Sequence, residues 1–324
     1  MSRKNPTDWQ WPDDGEHSPV PDEVRRRAIA RSTWTSVAVN LVLSAAQIAI
    51  GLATRSQALV ADGIHTLSDL FADAIVLIAT RLARKEADAD HPYGHQRYET
   101  AASFALGGIL VAVGGGMLWT AGQKIMAPET VPPPSVIALA AAVGTLLAKE
   151  LLFRFMLAIG KRVKSTLLVA NAWHARSDAA SSLVVALAIA GALAGYPILD
   201  PIAALIVGLM VLRMGVRFAW DALNDLMDRG ADEAETEAIR RTLETTPGVR
   251  AVHDLRTRKM GDLILADVHI EVDANLTVEA GHDIAVEARR RVLERHRVLN
   301  LLTHVDPWHR PDRDHPEPAP KRPT

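Results

Sequence analysis

The stretch ADGIHTLSD at residues 61–69 decides the fold, because it sets a histidine and an aspartate four residues apart inside a long apolar segment. The same spacing recurs in WHARSD at residues 173–178, inside a second apolar segment. Residues four apart in an α-helix lie on one face, about one turn apart. Each stretch therefore predicts a helix that directs one imidazole and one carboxylate toward the same side.

The four side chains of these two pairs form a ligand set that suits a divalent cation. Two imidazole nitrogens and two carboxylate oxygens match a tetrahedral ion such as Zn²⁺. Counted from their helix starts, both pairs lie at depths of about 12 and 18 Å, so antiparallel helices would bring them together. We predict one site formed by His65, Asp69, His174 and Asp178. The alternative is two hydrogen-bonded pairs that serve packing only.

Composition divides the 324-residue chain into an apolar part, residues 28–220, and a charged part, residues 221–324. The formal net charge of −2 gives no reason to expect a nucleic-acid partner. Cysteine is absent, so disulfides and thiolate metal sites are excluded. Six apolar stretches each meet the length of about 20 residues that spans a bilayer: 32–53, 57–80, 100–122, 135–158, 166–195 and 198–219.

Lysine and arginine are distributed unevenly between the connections of these stretches. They are concentrated before the first, between the second and third, between the fourth and fifth, and after the sixth, whereas the opposite loops hold little more than Arg55 and Lys124. The positive-inside rule then places both termini in the cytoplasm. We predict four regions: a cytoplasmic tail (1–27), a transmembrane transport domain (28–228), a cytoplasmic metal-binding and dimerisation domain (229–309) and a disordered tail (310–324).

The charged part alternates in a way typical of a small α+β domain. Helices are predicted at 231–246 and 278–297, and strands at 249–258, 263–272 and 298–306. This order predicts a sheet with one face covered by helices.

Two further clusters of candidate metal ligands lie outside the apolar stretches. Asp88, His91 and His95 fall within eight residues of one loop, where the alternative is a polar loop with a helix cap. The second cluster, in the charged part, comprises His253, His269, His282, His304 and Asp306. His304 and Asp306 are two apart in a strand and share one face, and a carboxylate such as Asp306 could bridge two ions. The alternative is surface or dimer-packing histidines.

Together these motifs resemble the cation diffusion facilitator family, in particular its bacterial ferrous-iron and zinc efflux branch. The resemblance covers about residues 25–310 and rests on five motifs: ADGIH through Asp69, HPYGH at 91–95, His174 to Asp178, LMDR at 226–229 and HDLRTR at 253–258.

The resemblance implies a homodimer whose cytoplasmic domain is metallochaperone-like (ferredoxin-like) and binds zinc at the dimer interface. It matches the three clusters to a transport site, a loop site and a binuclear cytoplasmic site. It also matches Arg97 and Asp228 to a charge pair, an interlock near the hinge, with Arg97 in place of the more familiar lysine. His65 stands where this branch often carries aspartate, and imidazole favours Zn²⁺ over harder ions such as Mn²⁺.

These inferences converge on a membrane protein that is not an enzyme. We predict an all-α six-helix bundle with a C-terminal α+β domain, in a bacterial inner membrane, acting as a dimeric Zn²⁺/H⁺ antiporter that exports metal. Metal binding to His and Asp displaces protons, which links the two ions. Zn²⁺ is expected as cargo and as regulatory metal. The alternatives are Fe²⁺, Mn²⁺, Cd²⁺ or Co²⁺ as main cargo, or a non-transporting membrane sensor or scaffold.

Overall fold

A computed structural model describes residues 22–127, 133–162 and 165–308. The predictions for residues 1–21 and 309–324, including the disordered tail, lie outside these described residues. Six long helices come first, followed by a smaller domain of two helices and three strands. Their bounds are α1 Asp22–Thr54, α2 Gln57–Ala83, α3 Arg97–Met126, α4 Val136–Arg162, α5 Thr166–Leu193, α6 Leu199–Leu226, α7 Glu233–Glu244, β1 Ala251–Met260, β2 Leu263–Asp273, α8 Val278–Arg295 and β3 Val298–Trp308.

Within the described residues, five helices are long and apolar enough to cross a membrane: α1, α3, α4, α5 and α6. The second helix, α2, has sufficient length at 27 residues but is not among the five. It carries Asp62, Asp69 and Asp73, and carboxylates lower the apolar character on which spanning depends. The predicted count of six spans therefore stays a prediction.

The chain divides into two compact units, the first within Met1–Leu70 and Trp119–Val207. In this unit α1 and α2 approach closely at glycines. A Cβ on Gly63 would lie 2.8 Å from a side-chain carbon of Ile48. The start of α2 is fixed by α6, because Ser56 Oγ and Gln57 N each donate a hydrogen bond of 2.6 Å to the carboxylate of Asp200. This cap positions α2, which carries the first His-Asp pair.

The second unit lies within Phe71–Leu118 and Gly208–Thr324. Here α3 and α6 pack backbone to backbone. A Cβ on Gly107 would lie 2.4 Å from Ala219 N, and one on Gly114 would lie 2.6 Å from Leu212 N. Glycine is thus required at both positions for the two helices to approach this closely.

The C-terminal domain is built on a mixed sheet in the order β1-β2-β3. Strands β1 and β2 are antiparallel, whereas β2 and β3 are parallel. The parallel pair needs a crossover connection, which α8 provides. One face of the sheet packs on α7 and α8 in a core that includes Ile239, Val268, Ile270 and Val292. The predicted order of helix, strand, strand, helix and strand is confirmed.

Candidate metal centres

Side chains of α2 and α5 converge in the first unit. One ligand atom each of His65, Asp69 and Asp178 lies within 4.8 Å of the other two. We call these three residues the helix group. His65 is 7% exposed, and its Nδ1 has no hydrogen-bond partner while lying 3.7 Å from Asp69 Oδ2. A buried nitrogen without a partner is unfavourable, so the donor set fits a cation.

His174 is the one predicted ligand of this site that stands apart from the helix group. Its side chain is 66% exposed, and its Nε2 lies 3.9 Å from Asp178 Oδ2. Because His174 and Asp178 are one turn apart on α5, a side-chain rotation would bring the imidazole toward the group. The structure thus brings together three of the four predicted ligands and leaves the fourth beside them.

The connection between α2 and α3 holds the loop cluster, Asp88, His91 and His95. Asp88 Oδ1 lies 3.3 Å from His91 Nδ1, and Asp88 Oδ2 lies 3.4 Å from His95 Nε2. The Nδ1 of His95 lies 3.1 Å from Glu86 O. A proton on that Nδ1 leaves Nε2 as the lone-pair nitrogen facing Asp88, the arrangement found around metal-binding histidines.

Lys85 competes for the same carboxylate. Its Nζ donates a hydrogen bond of 2.6 Å to Asp88 Oδ2. This bond, with a further one from the backbone N of His91, holds the pKa of Asp88 well below its usual value. A metal ion in the loop cluster would have to displace the Lys85 ammonium.

The sheet of the C-terminal domain aligns three histidines in one row. His253 on β1 pairs with His269 on β2, which pairs with His304 on β3. The rings of His253 and His269 are 5.1 Å apart between centroids, and those of His269 and His304 are 4.7 Å apart. The row lies on the face opposite the core, since Val268 and Ile270 alternate with it and are buried.

Asp306 lies among these three rings, and we call the four residues the sheet cluster. Its Oδ2 is 2.9 Å from His269 Nδ1 and 3.3 Å from His253 Nε2, while its Oδ1 is 3.2 Å from His304 Nε2. The two oxygens thus face different imidazoles. This donor set fits a zinc site in which one carboxylate serves two ions.

Comparison with known proteins finds two family domains along the chain. Residues 33–227 match the cation efflux transmembrane domain, and residues 231–308 match the cytoplasmic domain of cation efflux proteins. The chain belongs to the cation diffusion facilitator family.

Two curated relatives and one solved structure illustrate the similarity. Metal tolerance protein 2 of Oryza sativa subsp. japonica is 31% identical over 310 residues, spanning 88% of this chain and 80% of that protein. The manganese efflux system protein MneS of Bacillus subtilis (strain 168) is 34% identical over 275 residues, spanning 84% and 93%. A variant of the MamM C-terminal domain is 35% identical, covering 24% of this chain and 98% of that chain with a TM-score of 0.23.

This cation diffusion facilitator is therefore a membrane-spanning transporter of metal cations, in a family of transporters rather than of enzymes. The resemblance to the family also matched Arg97 and Asp228 to a charge pair, and these two residues are in contact. Arg97 Nη2 donates a hydrogen bond of 2.6 Å to Asp228 Oδ1, and Arg97 Nε lies 3.3 Å from Met260 Sδ in the C-terminal domain. The contact is present, whereas its role as an interlock stays a prediction.

One predicted ligand of this facilitator, His282, lies away from the sheet cluster. Two acidic residues beside the sheet cluster, Asp254 and Glu271, were not predicted as ligands. His282 is exposed on α8 and belongs to no group of three ligand atoms within the described residues. Asp254 forms such a group with His253 and His269. It lies at an irregularity in β1 with a φ of 48°, and its Oδ2 is 3.5 Å from His253 Nδ1. Glu271 Oε1 is 3.5 Å from His253 Nε2.

Lys149, which is 2% exposed within α4, belongs to none of the motifs found in the sequence. The signal for it was available, since a lysine inside an apolar 27-residue helix is costly unless paired.

Proposed function

We propose that this cation diffusion facilitator exports Zn²⁺ from the cytoplasm in exchange for protons. The observation that carries the proposal is the convergence of one imidazole and two carboxylates in the helix group. Two carboxylates balance a divalent charge and lower the penalty of holding it among apolar helices. His174 would complete the set on side-chain rotation.

Proton exchange follows from the chemistry of these ligands. An imidazole and a carboxylate bind metal only when deprotonated, so metal entry releases protons and protonation releases metal. We further propose that the chain lies in a bacterial inner membrane with both termini in the cytoplasm. The transport domain would comprise residues 28–228, and the cytoplasmic domain residues 229–309.

The proposed test is metal uptake into inside-out vesicles or proteoliposomes, with and without a proton gradient. Asp69→Asn and Asp178→Asn should reduce Zn²⁺ movement to the level of liposomes without protein. Asp73→Asn is the matched control: it removes a carboxylate from the same helix, four residues beyond Asp69 and outside the helix group, and should keep transport. Gradient-driven uptake that survives in Asp178→Asn would reject the site.

A second candidate is Mn²⁺ as main cargo, because MneS is named for manganese efflux and the helix group is richer in oxygen than in nitrogen. Fe²⁺, Cd²⁺ and Co²⁺ are further candidates. Competition of each ion against Zn²⁺ in the same vesicles ranks them. A folded chain that moves none of these ions would favour a sensor or scaffold.

We propose that the sheet cluster holds two regulatory Zn²⁺ ions in a homodimer. His253, His269 and His304 would bind them with Asp306 as the bridging carboxylate, and the bound metal would join three strands and favour the paired state of the domain. The alanine variants of His253 and His304 should weaken metal-dependent tightening of the dimer, measured by sedimentation with and without Zn²⁺. Tightening that is unchanged in both variants would reject this role.

A further inference from the structure

Lys149 is a buried cation whose ammonium lies among α2, α4 and α5. Its Nζ donates hydrogen bonds of 3.0 Å to Thr66 Oγ1 and 2.9 Å to Ser182 Oγ. Both partners are neutral hydroxyls, which accept from two of the three ammonium donors without cancelling the charge. A buried ammonium needs a counter-charge as well, because an uncompensated ion is strongly unfavourable in a low-dielectric interior.

Asp62 on α2 supplies that counter-charge. It is 1% exposed, and its Oδ1 lies 3.8 Å from Lys149 Nζ. Its oxygens are already engaged: Ser182 Oγ donates to Oδ2 at 2.7 Å, Ser181 Oγ approaches Oδ1 at 3.4 Å, and the side-chain amide of Gln47 donates to Oδ2. Asp62 is therefore held as a partner of Lys149 rather than left as a ligand for an ion.

The Lys149–Asp62 pair adjoins the helix group on both helices. Thr66 follows His65 in the chain, and its Oγ1 donates a hydrogen bond of 3.1 Å to Asp62 O. Ser181 Oγ donates to the backbone oxygen of Asp178 at 2.7 Å, and Ser182 Oγ lies 3.2 Å from the same oxygen. Because charges interact strongly across a low-dielectric interior, the pair contributes to the potential at the ligands.

The summed charge of the Lys149–Asp62 pair and the helix group is opposite and equal to that of a divalent cation. With His65 neutral, Asp62, Asp69 and Asp178 carry three negative charges and Lys149 carries one positive charge, which leaves a net −2. A net −2 is neutralised by one divalent cation. Without the ammonium the site would carry −3, hold a divalent ion too tightly and need a further cation for neutrality.

We propose that Lys149 is a tethered cation that, through Asp62, fixes the net charge of the transport site at −2. It is a specificity-determining residue for divalent cargo and for release of that cargo. This inference rests on the proposed function of the helix group.

The test changes the charge of the pair in both directions. Lys149→Gln keeps polar contacts to the hydroxyls and removes the positive charge, so Zn²⁺ affinity at the transport site should rise about tenfold while turnover falls. Asp62→Asn should lower the affinity about tenfold, although Asp62 touches no ion. The double variant restores −2 and should return to within about threefold of the wild type. Lys149→Arg, which keeps the charge, is the matched control.

Two measurements keep this inference separate from the proposed function. Equilibrium Zn²⁺ binding to the purified chain gives the affinities. The binding component that is lost in Asp178→Asn is assigned to the transport site. Vesicle uptake gives the turnover. If both single variants shift affinity in the same direction, or the double variant is as impaired as either, charge balance is not the role of Lys149. If Lys149→Gln does not fold, Asp62→Asn and the double variant still decide. If the variants show the expected affinities but the wild type moves no Zn²⁺, transport is rejected and the charge-balance role of Lys149 is retained.

Discussion

Replacement of Gly107 by alanine should separate α3 from α6. The added Cβ would lie 2.4 Å from Ala219 N and 2.8 Å from both Ala219 Cα and Gly215 O. Ordinary contacts between such atoms are about 3.5–4.0 Å, so the helices would have to move apart by roughly 1 Å. Because all three atoms are backbone, no rotamer change relieves the clash, and overpacking of this kind destabilises by about 1–3 kcal/mol.

Gly108→Ala is the matched control, since nothing lies within 4 Å of a Cβ at that position. Both changes are glycine to alanine in the interior of α3, so the gain in helix propensity of about 1 kcal/mol is common to them. The difference between them should therefore be about 1–3 kcal/mol, or roughly 2–12 °C in melting temperature for a domain of this size.

The assay is thermal unfolding of the purified chain in detergent, followed by the fluorescence of its tryptophans. A second pair repeats the comparison one heptad later, where a Cβ on Gly114 would lie 2.6 Å from Leu212 N and one on Gly115 would meet nothing within 4 Å. Equal melting temperatures within each pair would refute the close approach of α3 and α6.

Three further predictions concern ionisable side chains in the C-terminal domain, in the loop between α2 and α3, and at the start of α3. Burial lowers the pKa of His296, so its contribution to stability is present above about pH 6.5 and is lost as the pH falls below that value; His296→Gln should flatten the decline of melting temperature between about pH 7 and pH 5. Lys85→Ala should strengthen Zn²⁺ binding at the loop cluster by less than about tenfold, because an exposed competitor of Asp88 contributes little; calorimetric titration beside wild type checks this. Arg97→Ala and Asp228→Ala should each lower stability by less than about 1 kcal/mol, since both side chains are about half exposed; a double-mutant cycle that gives a coupling well above this value would contradict it.

The sequence was sufficient for the elements and insufficient for several side chains. Apolar runs located α2 and α5, and alternation located β2, because both signals are local. The pairing of Lys149 with Asp62 joins residues 87 positions apart, and no local pattern reports such a contact. The position of Asp254 depends on an irregularity in β1. The outward ring of His174 depends on a rotamer that helix periodicity does not specify.

The histidine row has a thermodynamic consequence, because its members come from three different strands. His253, His269 and His304 are adjacent only when β1, β2 and β3 are paired, so an ion bound by all three is a ligand of the folded domain alone. Such a ligand stabilises folding by about 2.7 kcal/mol when its free concentration is 100 times its Kd, and by about 1.4 kcal/mol for each further tenfold. The stability of the sheet would then rise with the logarithm of the free metal concentration. A chelator would lower the melting temperature although no side chain has been changed.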